Sequence, residues 1–159
     1  EEFVTHQRHA ALLDRGYDMV VDCIDNYRDK AAIIAWCSRQ RVPVITIGAT
    51  GGKTDPARLR LLDLSRTEMD PLLSRVRKEL RQRYGFPRNP KRRFSIPAVF
   101  SLEQTRQPAS GGECESVGPA EATHLHCGGL GSVMHVTASA GLMAVSRVLE
   151  KLTAEASGD

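Results

Sequence analysis

The chain has 159 residues, 41% hydrophobic and 26% charged, which suits one globular domain able to bury a core. Aromatics supply only 5%, so aliphatic side chains must form most of that core, and the net charge of +3 is unremarkable. No apolar run reaches the ~18 residues of a helical membrane span, and the four cysteines show neither a CxxC nor a regular framework, so a reducing, cytoplasmic setting is expected.

"YDMVVDCID" (17–25) is short, β-branched and apolar, with acids at its edges. It reads as a buried strand of a parallel sheet. "YRDKAAIIAWCSRQR" (27–41) follows as a helix with Ala31, Ile34, Ala35 and Ser38 on one face, capped by Asn26 or Asp25. "VPVITIG" (42–48) is a second buried strand, so residues 17–48 form a strand–helix–strand crossover unit. "GATGGKTDP" (48–56) is a Gly-rich turn, and "ARLRLLDLS" (57–65) an amphipathic strand.

"TEMDPLLSRVRKELRQRYG" (67–85) predicts a helix whose apolar face is Leu72, Leu73, Val76, Leu80 and Tyr84, stopped at Gly85. Its basic residues are expected on the opposite side. "RRFSIPAVFS" (92–101) is a further strand, and Pro97 favours an edge position. Residues 103–127, rich in Gly, Pro, Ser, Glu and His, predict a long mobile loop. "GLGSVMHVTASAGLMAVSRVLEKL" (129–152) returns to helix, with small residues that allow close packing.

Charge is unevenly spread. Residues 66–93 hold ten Lys/Arg and three acids, or +7, while the rest of the chain sums to −4. A local basic surface points to a polyanionic partner, although a solvated helix face reads equally well. Arg75, Arg77, Lys78, Arg81, Arg83, Lys91, Arg92 and Arg93 are the candidate nucleic-acid contacts.

The first strand ends in chemistry. Ligands of open parallel sheets bind beyond the carboxyl ends of the strands, where Asp25 and Asn26 fall. A carboxylate there suits a hard cation such as Mg²⁺, and Asn26 can cap the helix or bond a ribose hydroxyl. Arg28 and Lys30 oppose the helix dipole, which suggests an anionic ligand. On spacing alone, a simple helix cap with a surface Arg is the more economical reading. Cys114 or Cys127, with His124 and His126 nearby, supplies a possible thiol nucleophile, a zinc-ligand set of non-standard spacing, or ordinary loop residues. Cys23 and Cys37 read as small core residues.

"YDMVVDCIDNYRDKAAIIAWCSRQRVPVITIGATGGKTDPARLRLLDLSRTEMDPLL" resembles the second half of a ThiF/MoeB-type adenylating domain, the Rossmann-like α/β fold of ubiquitin-activating enzymes. "GATGGKTDP", "DLSRTEMDPLL" and "CGGLGSVMHVTASAGLMAVSRVLEKL" are similar to the tRNA threonylcarbamoyladenosine dehydratase branch rather than to MoeB or ThiF. The likeness covers essentially the whole chain and implies a carboxyl-terminal part with a mixed sheet and a terminal helix. It divides into the end of a nucleotide-binding sheet (1–65), a basic helix and turn (66–93), the loop (103–127) and the last helix (128–152).

The resemblance implies ATP-dependent adenylation of the carboxylate of N6-threonylcarbamoyladenosine in tRNA, with dehydration closing a ring. Asp25 would match the family's Mg-ATP aspartate and act with Arg28 as a catalytic residue, and Asn26 would flank the nucleotide. The partners it implies are tRNA, a second copy of the chain and sulfur-transfer proteins. A G-x-G-x-x-G phosphate loop is absent, and "GATGGK" does not replace it. The chain alone is therefore expected to bind ATP poorly. The alternatives are activation of a sulfur-carrier protein, whose paired CxxC zinc motifs are lacking, and a non-catalytic RNA-binding or dimerisation module.

Overall fold

A computed structural model describes residues 4–5, 7–105 and 131–157 of the chain, with side chains described as far as 154. Its elements run α1 (His9–Leu13), β1 (Val20–Asp22), α2 (Tyr27–Gln40), β2 (Val44–Ile47), β3 (Leu59–Asp63), α3 (Pro71–Arg83), β4 (Pro97–Ser101) and α4 (Met134–Ser157). Short 3₁₀ turns at Pro56–Arg58 and Leu64–Arg66 bracket β3. The four strands form one mixed sheet in the order β1-β2-β4-β3. The pairs β1–β2 and β2–β4 are parallel, and β3 runs antiparallel to β4.

The period-2 alternation of strand side chains sends them to two different layers. Val44, Ala98 and Phe100 face α2 and α3, packing on Ala31, Ile34, Leu73, Val76 and Leu80. Ile45, Val99 and Leu59 face α4, meeting Val136, Ala140 and Ala144. Helices thus cover both faces of the sheet, as parallel strands require. Each fully buried Val, Leu, Ile or Phe contributes roughly 1.5–3 kcal/mol, so these two clusters hold the fold.

The helices begin and end where short-range chemistry directs. Asn26 caps α2 by accepting from the Arg28 and Asp29 amides at 2.9 and 3.4 Å. Arg41 ends α2 in the left-handed region at φ 60°. Asp70 caps α3, Pro71 opens it, and Gly85 follows it at φ 73°. The expected apolar face of α3 is in place, with Leu73, Val76 and Leu80 buried and Leu72 and Tyr84 half-buried.

Three expectations need correcting here. β4 is not an edge strand: it lies between β2 and β3. Pro97 is tolerated because it is the first residue of the strand, opposite Asp63, where a missing N–H breaks no ladder. Cys23 is exposed at the end of β1, whereas Cys37 is buried as expected. The last helix starts five residues later and ends five residues later than its pattern predicts. Most of the predicted mobile loop, including Cys114 and Cys127, lies outside the described residues. Among the described residues no helix is long and apolar enough to cross a membrane.

Candidate functional site

β1, β2 and β4 end at the same edge of the sheet, and the turns that leave β1 and β2 emerge from neighbouring strands. The first turn is built on Asp22. Its side chain is fully buried and receives three groups: Thr46 Oγ1 at 2.8 Å, the Ile24 amide at 3.1 Å and the Lys30 ammonium at 2.9 Å. Lys30 Nζ also donates to the Asp22 backbone oxygen at 3.3 Å. The pair therefore ties the start of α2 beneath the end of β1. This corrects the reading of Lys30 as a group offered to an anion: its charge is spent inside the protein.

Asp25, Asn26 and Arg28 sit above that pair. Asp25 is exposed and makes no hydrogen bond or ion pair among the described residues. Asn26 Oδ1 is engaged as the cap. Arg28 is exposed, with Nε donating to Tyr27 Oη at 3.0 Å and its guanidinium lying 5.6 Å from the centre of that ring. Asp25 thus presents a free carboxylate at the amino end of α2, next to donors already fixed in place. Free carboxylate oxygens at such an edge suit a hard cation. Cys23, beside it, is not primed as a nucleophile: partial burial of the thiol pushes it up, Lys30 opposes that rise, and Asp22 and Asp25 add to it. Cys37 is pushed up to about 11 by burial, with Asp22 adding to the rise.

The second turn carries another buried cation. Lys53, at the end of the Gly-rich stretch, is completely buried with Nζ 3.9 Å from Asp70 Oδ2 and no hydrogen-bond partner among the described residues. Asp70 is itself taken up by the Leu73 and Ala49 amides, at 2.9 and 3.0 Å. Gly48 makes that approach possible, because a Cβ there would stand 2.1 Å from Asp70 Oδ2. Glu103, also buried, holds the loop with both oxygens, accepting from the Thr54 amide and hydroxyl and the Asp55 amide at 2.8, 3.0 and 2.8 Å.

Burial pushes the Lys53 ammonium below its ordinary value, against the opposing pull of Asp70 and Glu103. The folded chain therefore loses this proton at lower pH than the unfolded chain. Stability rises with pH across the window between the lowered value and the ordinary 10.5. Below that window the penalty of burying the charge is present in full. Lys53→Met also takes the cation away from the buried Asp70 and Glu103, so its net effect carries both terms, but its stability relative to the parent is expected to be more favourable near neutral pH than as pH approaches about 10. Urea unfolding midpoints of both proteins at the two pH values check this. A pH-independent difference would count against it.

The start of α4 closes the same edge. His135 Nε2 lies 2.9 Å from the Thr54 backbone oxygen, Thr50 and Thr137 share a hydroxyl contact at 3.3 Å, and the Gly52 amide donates to Gly131 O at 3.0 Å. A cleft of about 450 Å³ opens beside these residues, lined by Thr54, Asp55, Arg58, Glu103, Gln104 and Thr105. No group of three or more potential metal-ligating side chains occurs among the described residues.

The predicted basic residues divide in two. Arg75, Lys78, Arg83, Lys91, Arg92 and Arg93 are exposed. Arg77 and Arg81 are half-buried and already occupied. Arg77 donates to the Thr67 hydroxyl. Arg81 Nε donates to Pro87 O at 3.2 Å, and its guanidinium stacks 5.2 Å from the Phe94 centroid. The expectation that all basic residues of α3 face solvent fails for these two.

Sequence reading missed both buried lysines. A signal existed for the first: Lys30, Ile34 and Cys37 share the i, i+4, i+7 spacing of the buried face. Nothing local marks Lys53, whose partners arrive from 17 and 50 residues away.

No protein-family model matches the chain. A tRNA threonylcarbamoyladenosine dehydratase of Haemophilus influenzae is 45% identical over 152 residues, 96% of this chain and 57% of the relative. One of Escherichia coli is 38% identical, over 98% of this chain and 59% of the relative. A crystal structure of the Escherichia coli protein in complex with ATP superposes with a TM-score of 0.82 at 34% identity, covering 99% of this chain and 57% of that one. Its complex with AMP gives 0.80 at 35% identity. The chain thus spans a little over half the length of the curated relatives it matches, and along nearly all of its own length it is homologous to their carboxyl-terminal part.

Proposed function

We propose that this chain supplies the carboxyl-terminal part of an ATP-dependent tRNA-modifying enzyme that dehydrates N6-threonylcarbamoyladenosine through adenylation of its carboxylate. The observation that carries this reading is Asp25. It is an unpaired, exposed carboxylate at the carboxyl end of a parallel strand and the amino end of α2, in a chain similar to proteins of that name. In this reading Asp25 would hold Mg²⁺, which would supply charge neutralisation at the nucleotide phosphates for the transfer of AMP from ATP to the substrate's carboxylate with release of pyrophosphate. Arg28, exposed and held by Nε to Tyr27 Oη, keeps its terminal nitrogens available to meet developing negative charge, and Asn26 fixes the turn that carries both. The Asp22–Lys30 pair holds that turn from below.

The test is tRNA-dependent ATP consumption by this chain, alone and with the amino-terminal part of the Haemophilus influenzae relative supplied. Turnover is expected only in the second case, and Asp25→Ala should lower it by at least ~100-fold, the scale of losing an electrostatic contact to a reacting phosphate. Turnover unaffected by Asp25→Ala would overturn its assigned role.

A second copy of the chain is part of this proposal. Leu142, Val145, Leu149 and Leu152 are exposed on α4, 36–69% each, at 3-4-3 spacing and opposite the buried Val136, Ala140 and Ala144. A helix apolar on both sides has a second surface to cover, and this spacing suits a self-complementary seam. Leu149→Glu is expected to convert a dimer to a monomer in sedimentation equilibrium. A monomeric unaltered chain would assign the face to another part of the protein.

A further inference from the structure

The edge of the sheet opposite Asp25 carries its own cleft, of about 550 Å³. It forms where the last residues of β3, the turn into β4 and the second half of α4 meet. Leu61 and Pro97, on the α4 side of the sheet, make its apolar floor, Leu62 lines it from the exposed edge strand, and Arg66, Arg93 and Arg147 line it with Asp63, Ser95 and Glu150. The antiparallel pairing of Asp63 with Pro97 fixes its position at the amino ends of the parallel strands. The five-residue length of β4 separates this edge from the Asp25 edge by roughly 17 Å.

The charges in the cleft are not equivalent. Arg147 is committed to Glu150 at 2.8 Å. Asp63 is committed to the backbone: its Oδ1 accepts from the Ser65 and Phe94 amides at 2.9 and 3.0 Å, and those bonds hold its carboxyl below the ordinary range against the opposing effect of burial. Two guanidiniums are left over. Arg93 is exposed and makes no hydrogen bond or ion pair among the described residues. Arg66 spends one nitrogen on Lys91 O at 3.3 Å. Arg88, Lys91 and Arg92 lead up to the cleft on the exposed loop before it.

We propose that this cleft binds the sugar–phosphate backbone of RNA, with Arg66 and Arg93 as its phosphate ligands and the Leu61–Pro97 floor against sugar or an unstacked base. The proposal rests on the tRNA reading above and adds to it a place: the RNA is gripped at the edge of the sheet away from the nucleotide chemistry. A row of cations leading into an open cleft suits a polyanion with several phosphates, and planar guanidiniums match phosphate bidentately while lying flat on bases. The apolar floor distinguishes the cleft from a purely ionic patch.

The experiment is fluorescence anisotropy of labelled tRNA with this chain over a range of NaCl concentrations. Arg66→Gln/Arg93→Gln is expected to weaken binding about tenfold at low salt and to reduce the slope of log affinity against log salt by about 1.5, two phosphate contacts' worth. Arg93→Gln alone, which breaks no bond within the described residues, should reduce the slope by about 0.8. Unchanged affinity and slope in both variants would overturn the site, as would weaker binding with an unchanged slope, the mark of a merely structural effect. If Arg75→Glu/Lys78→Glu/Arg83→Glu on α3 weakens binding while the cleft variants do not, the cleft falls and the tRNA reading stands. If the unaltered chain binds tRNA neither alone nor with the amino-terminal part of the Haemophilus influenzae relative supplied, both fall.

Discussion

Asp22→Asn is expected to destabilise the chain by about 3–5 kcal/mol, the range for removing one partner of a buried ion pair. Lys30 Nζ is wholly buried, and its strong contacts are the Asp22 carboxylate at 2.9 Å and the Asp22 backbone oxygen at 3.3 Å. Asparagine keeps the shape but removes the counter-charge, so a desolvated ammonium remains. For a chain of this length each kcal/mol shifts the melting temperature by roughly 2–4 °C, so thermal melts should show a drop of about 10 °C. Adding Lys30→Met to Asp22→Asn should restore much of the loss, because the double variant leaves no uncompensated buried charge. A single variant melting within about 2 °C of the parent would show that the pair is not what fixes this turn. The same pair joins the two ends of the turn that carries Asp25, the end of β1 and the start of α2.

Much of the strand–helix–strand order was legible in the sequence because β1, α2 and β2 each carry one local signal, although β1 is a three-residue edge strand with Val21 exposed rather than the buried strand expected, and Ser38 lies outside the buried part of α2. The strands are short β-branched runs, the helix has a cap and an apolar face, and all contacts between them are close in sequence. α3 was legible for the same reason, from its Asp-Pro start to Gly85. The position of β4 was not. Pro97 argues for an edge only if the strand's ladder must pass through it, and here the ladder begins at it. Strand order is decided by packing between segments far apart in the chain, which local pattern does not encode. The location of Asp25, Asn26 and Arg28 at a strand end was readable, but their foundation was not. Asp22 reads as the acidic end of an apolar run and is in fact its most enclosed charge, held by Thr46 from the next strand. Burial of an ionised pair depends on two residues meeting in space, so composition and periodicity pass over it. The same holds for Arg77 and Arg81, which count as surface charge until Thr67, Pro87 and Phe94 are placed beside them.

That division of the basic residues sets the form of the largest expected binding effect. Reversing Arg75, Lys78 and Arg83 together should weaken tRNA binding on the order of 100-fold at low salt and flatten its salt dependence by about 2 units of slope. All three are exposed. Among the described residues Arg83 is joined only to Glu79, at 2.9 Å; its own side chain is exposed while Glu79 is largely covered, and like charges at this i, i+4 spacing weaken a helix only slightly. Circular dichroism of the variant should therefore match the parent. Reversing Arg77 and Arg81 makes the contrasting control. Each is a half-buried tether to the Thr67 turn or the 87–94 loop, so their reversal should lower the melting temperature as well as binding. Binding that survives reversal of the exposed three would remove α3 from the RNA surface. Binding lost with an unchanged salt slope would mean that shape rather than charge had been disturbed. The exposed three differ from the tethered two in exposure and in what already occupies their charged groups, so the two variants together measure whether solvent-facing charge on this helix is what the RNA meets.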